Sequence, residues 1–65
     1  MEQPILQFTR EYCKKNNIKY KIAGQNEALF LKHPYTNKYI QVCYCLLNLT
    51  REQVIEYINT FFNQI

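Results

Sequence analysis

The sequence predicts a small α+β domain with the element order α-β-β-β-α: a three-stranded antiparallel meander with two helices packed on one face. Three observations carry this expectation. Both ends of the chain repeat apolar residues at helical spacing. The middle alternates apolar and polar residues, as half-buried strands do. Short turn signals separate the alternating runs, so consecutive strands are expected to pair as neighbours. With 65 residues there is room for one domain, 1–65. A chain this short buries only about 60% of its unfolded surface, so its core is small.

The first helix is expected over "PILQFTREYCKKNN". Pro4 suits a first turn, where its missing N–H costs nothing. Ile5, Phe8 and Tyr12, flanked by Leu6 and Cys13, form one apolar face. Glu2 and Gln3 near the start and Lys14 and Lys15 near the end complement the helix dipole. Asn16-Asn17 is a stop, because Asn tolerates the left-handed conformation. The last helix, "REQVIEYINTFFNQI", has the clearest start signal. Thr50 and Gln53 are spaced as a capping box, and Leu49 and Val54 as a hydrophobic staple. Val54, Ile58, Phe61, Phe62 and Ile65 lie on one side, with Ile55 at its edge.

Between the helices, "IKYKIAG" sets Ile18, Tyr20 and Ile22 against Lys19 and Lys21. Gly24-Gln25-Asn26 supplies a turn. "EALFLKHP" is the second strand, closed by Pro34, and "YIQVCYCLL" is the third. With Thr36-Asn37 at the hairpin tip, residue 33 opposes 40, 32 opposes 41, 31 opposes 42 and 30 opposes 43. Side chains alternate across a sheet. One face then carries Leu29, Leu31, His33, Ile40, Val42, Tyr44 and Leu46, and meets the helices. The other carries Phe30, Lys32, Tyr39, Gln41, Cys43 and Cys45.

This arrangement weighs against chemistry at "HPYTNKYIQVCYC". Structural zinc needs four converging ligands, commonly Cys-x2–4-Cys. Cys43-x-Cys45 is too close in sequence, His33 falls on the opposite face, and Cys13 belongs to the helix layer. A redox pair would open a helix as Cys-x-x-Cys. Three cysteines leave one over from any disulfide, and Cys43 and Cys45 are badly placed to bridge. Nucleophilic catalysis needs an orienting partner and an oxyanion hole. The chain has no serine, no aspartate and one glycine. No Gly-rich phosphate loop is present. The expectation is no enzyme, no metal and no cofactor, with the cysteines as small packing residues.

Composition adds the setting. "MEQPILQF" lacks the basic start and apolar run of a signal peptide, and no run approaches the roughly 20 apolar residues of a membrane span. Reduced thiols in the cytoplasm are expected, with no membrane partner. Phe, Tyr, Met, Ile, Asn and Lys supply 31 residues, whereas Gly, Ala, Arg and Pro supply seven. The first group uses AT-rich codons, which points to an AT-rich genome such as a low-GC bacterium, its phages and plasmids, or certain viruses.

Function is therefore expected at a surface. If both helices cover one face, the other displays Lys19, Lys21, Phe30, Lys32, Tyr39 and Gln41, with Tyr35 and Lys38 at the hairpin tip. Aromatic anchors framed by lysines suit a protein partner with an acidic patch. That partner is a host or cognate protein, or a second copy of the chain, and the protein would act as an inhibitor or adaptor from a phage or plasmid. The alternative is nucleic acid, with aromatics stacking bases and lysines following phosphates. The net charge of +3 permits it without dense basic clustering. The element order and length resemble the double-stranded-RNA-binding domain. That family grips RNA through a basic cluster opening its second helix. The matching stretch here, "TREQVIEY", holds one arginine and two glutamates, so the resemblance is one of topology.

Overall fold

A computed structural model of the chain describes residues 3–65. Helix α1 (Pro4–Lys15) is followed by strands β1 (Tyr20–Ala23), β2 (Ala28–Lys32) and β3 (Tyr39–Cys43). A single 3-10 turn (Leu46–Asn48) leads into helix α2 (Arg51–Asn63). The strands form one antiparallel sheet in the order β1-β2-β3, so the α-β-β-β-α meander is the fold. Glu2, expected to favour the start of α1, lies outside the described residues.

The helix ends follow their local chemistry. Pro4 opens α1. Its exit is a Schellman turn on Asn17, whose φ is +57°. The Ile18 N–H donates to the Cys13 carbonyl at 2.8 Å and the Asn17 N–H to that of Lys14 at 3.2 Å. Two of the last carbonyls are thereby satisfied, and Ile18 is turned onto the core. At α2 the capping box forms in full. The Gln53 N–H donates to Thr50 Oγ1 at 3.2 Å, and the Thr50 N–H to Gln53 Oε1 at 3.0 Å. Leu49, before the cap, packs on the cluster that contains Val54.

Leu6 and Cys13 of α1, Leu29 and Leu31 of β2, Cys43, Leu46, and Val54 and Ile58 of α2 make the core. Both helices thus pack on the Leu29/Leu31 face. The buried line of α1 is Leu6, Thr9 and Cys13, with Ile5, Phe8 and Tyr12 flanking it, so the helix is rotated from the expected face. Thr9 is tolerated there because its hydroxyl donates to the Ile5 carbonyl at 2.8 Å. Arg51 sits 5.4 Å from the Phe8 ring centroid and ties the start of α2 to α1. On α2, Val54 and Ile58 are buried, Ile55 and Phe61 half-buried, and Phe62 and Ile65 exposed. The apolar stripe therefore loses its cover beyond Phe61.

The second hairpin differs from the simplest pairing in two ways. Lys32 opposes Tyr39, Leu31 opposes Ile40 and Phe30 opposes Gln41. This is a slip of two residues from the expected register. The cause lies at His33. Its Nδ1 accepts the N–H groups of Tyr35 (3.1 Å) and Thr36 (3.4 Å), and its own N–H donates to the Lys38 carbonyl at 2.8 Å. Pro34 has no N–H to offer. Residues 34–37 therefore form a closed loop, with Asn37 left-handed at φ +61°, and the ladder starts at the 33–38 pair.

A slip of two keeps every side chain on its expected face. The second difference does not. Leu29 opposes Cys43, so Val42 is an extra residue on β3 and the pairing is bulged. Beyond the bulge the alternation reverses. Cys43, expected on the open face, joins the core beside Leu29, and Tyr44, expected in the core, is 83% exposed. Ile40 keeps its side but lies at the sheet edge and is 40% exposed.

Candidate functional site

The sheet face opposite the helices carries two cross-strand rows. The register aligns Lys21, Phe30 and Gln41 in one row. One step along, the Lys32 N–H donates to the Lys19 carbonyl at 3.1 Å, and Lys32 opposes Tyr39, which makes a second row of Lys19, Lys32 and Tyr39. None of these six residues belongs to the buried core cluster. Lys19, Lys21, Tyr39 and Gln41 are exposed, and Phe30 and Lys32 are half-buried. Three ammonium groups and two rings thus share one surface, with no carboxylate in either row.

Of the residues expected to act together, the structure brings these six to one face. Tyr35 lies at the hairpin tip, 81% exposed, with its ring centroid 5.8 Å from that of His33. Lys38 does not join them. It pairs with His33, whose ring meets that of Phe61 at 6.2 Å on the helix side. A neighbour that sequence reasoning missed is Lys14. The end of α1 brings it, with Asn17 and Ile18, to a hollow of about 390 Å³ shared with Lys19, Tyr20 and Tyr39. Its helix dipole role gave no hint of this proximity, which arises only when the Schellman turn folds β1 back beside α1.

Among the described residues no group of three His, Cys, Asp or Glu side chains comes together. Cys13 and Cys43 are buried and Cys45 is half-buried. Burial pushes the Cys13 thiol up to about 11, because a thiolate would be stranded away from water. Burial also raises Cys43, while a backbone hydrogen bond from Leu29 pulls part of that back. Both are suited to packing and not to nucleophilic attack. His33 spends its ring nitrogen on the turn, so its place beside the cysteines in sequence is a matter of hairpin closure.

Among the described residues no helix is long and apolar enough to cross a membrane. No family model matches this chain, and no curated protein or solved structure matches it significantly.

Proposed function

We propose that this protein is a non-enzymatic protein-binding module that docks through its open sheet face. The observation that supports this reading is the pair of rows Lys21–Phe30–Gln41 and Lys19–Lys32–Tyr39, on the sheet face opposite the core residues Leu29 and Leu31. Phe30 lies in the middle strand, framed by charge, as an anchor lies inside a polar rim. The lysines select a partner with an acidic patch around an apolar recess, and speed its approach. An amino-acid composition weighted towards residues with AT-rich codons suits a phage- or plasmid-encoded inhibitor or adaptor acting on a host protein.

The test is charge reversal. Lys19→Glu, Lys21→Glu and Lys32→Glu together are expected to abolish capture of the partner while the fold persists. Binding to nucleic acid would instead appear as a steep loss of affinity with added salt, through counterion release. Recovery of nucleic acid in place of protein would replace this reading with the base-stacking one.

A further inference from the structure

A second surface lies at the free edge of β3. Among the described residues, β3 has a strand partner on one side only. In an antiparallel sheet, the backbone groups of successive residues point alternately to either side. The Lys32 N–H is given to Lys19, and the His33 N–H to Lys38. The 33–38 pair is therefore hydrogen-bonded and the 32–39 pair is not. The N–H and C=O of Tyr39, and by alternation those of Gln41, point away from β2 to the open edge.

That edge is one wall of a groove of about 570 Å³, and α2 is the other. Ile40 and Val42 face Tyr57, Thr60 and Phe61 across it, and among the described residues Glu56 is the single charged one lining it. Tyr57 shares a smaller hollow with Val42 and Tyr44, whereas Phe61 meets His33 at the other end. α2 thus runs antiparallel to β3, with Glu56 at the Val42 end.

We propose that this groove takes an extended peptide as a fourth strand, antiparallel to β3. Strand addition beside a helix supplies affinity through main-chain bonds and specificity through alternate side chains. The peptide residues opposite Gln41 and Tyr39 exchange four backbone hydrogen bonds with them. The residue between, opposite Ile40, points into the groove and is apolar. The residue two earlier lies opposite Val42 and reaches Glu56, so it is Lys or Arg. The recognised pattern reads, from amino to carboxyl end, basic, any, apolar. The volume falls within the usual range of ligand clefts, about 300–1,000 Å³. A second copy of this chain fits less well, because α2 lies over β3 and an incoming β3 would carry its own α2 into the same space.

The site differs in position and in sign of charge from the lysine face, so either can fail alone. The probe is acetyl-Thr-Lys-Thr-Ile-Thr-Thr-amide at about 1 mM, where weak peptide ligands begin to saturate, followed by amide NMR of the whole chain. The Tyr39 and Gln41 amides are expected to shift and to gain exchange protection. N-methylating the two threonines that flank the isoleucine should weaken binding at least tenfold. Glu56→Lys should reverse the preference, so that a Glu-for-Lys peptide binds better. Lack of response at Tyr39 and Gln41, equal binding of the N-methylated peptide, or shifts confined to Lys21 and Phe30 would overturn the proposal. Protection of Tyr39 and Gln41 that rises with protein concentration alone would overturn it in favour of a second copy.

Discussion

Two adjacent residues of β2 give a sharp test of which face is buried. Leu31 is fully buried in the core, whereas Phe30, next to it, faces away from the helices. Replacing a fully buried leucine with alanine removes its transfer free energy and leaves a cavity, for a loss of about 3–5 kcal/mol. A domain of this length has a total stability of roughly 3–10 kcal/mol. Leu31→Ala should therefore remove about 30% of the stability or more. Since each kcal/mol shifts the melting temperature by about 4–8 °C in a domain this small, Tm should fall by more than about 12 °C. Phe30→Ala touches only the open face. Its loss is expected to stay below about 1 kcal/mol, the scale of a strand-propensity change. Thermal and urea melts followed by circular dichroism read both numbers, with an unchanged urea slope confirming that only stability moved. If Phe30→Ala destabilises as much as Leu31→Ala, the second face is covered and the docking surface does not exist.

Other outcomes follow from the same structure. Thr50→Ala should cost about 1 kcal/mol in a urea melt, because the Gln53 N–H loses its cap. Gly24→Ala should cost about 1 kcal/mol although a Cβ there would meet nothing within 4 Å, since only its φ of +89° is penalised. Iodoacetamide should alkylate Cys45 before Cys13 and Cys43, which react on unfolding, as peptide mass mapping would show. Cys13 ionises near 11 in the fold and near 9 when unfolded, so the unfolded chain loses its proton first. That part of the stability is whole below pH 9 and declines between 9 and about 11, by on the order of 2–3 kcal/mol. Urea midpoints across that range should fall for the native chain and fall less for Cys13→Ala.

Where local chemistry decides the structure, the residues announced it. Pro4, Asn17, Gly24 and the Thr50–Gln53 box set the ends of helices and turns through bonds within a few residues, and each acts as its type dictates. The six open-face residues were legible for a similar reason, because alternation along β1, β2 and the start of β3 holds over short runs. What escaped depends on geometry that alternation does not encode. The His33 ring takes two loop N–H groups and shifts the pairing by two residues, which nothing in "HPYTNK" states as a pattern. The extra residue at Val42 reverses the faces of Cys43 and Tyr44, and no glycine marks it. The rotation of α1 onto Thr9 turned on a hydroxyl returning to its own helix backbone. Lys14 and the groove along β3 belong to tertiary placement, which spacing along the chain does not report.

The most direct test of the docking face is a site-specific photocross-link. With p-benzoylphenylalanine in place of Phe30, in lysate of the source organism or its host, after nuclease digestion, one protein should be cross-linked at high yield. The same probe should capture nothing when Lys19, Lys21 and Lys32 are changed to glutamate. A cross-link that survives those three changes, or one that disappears with nuclease, would contradict the claim that a basic, aromatic sheet face binds an acidic protein.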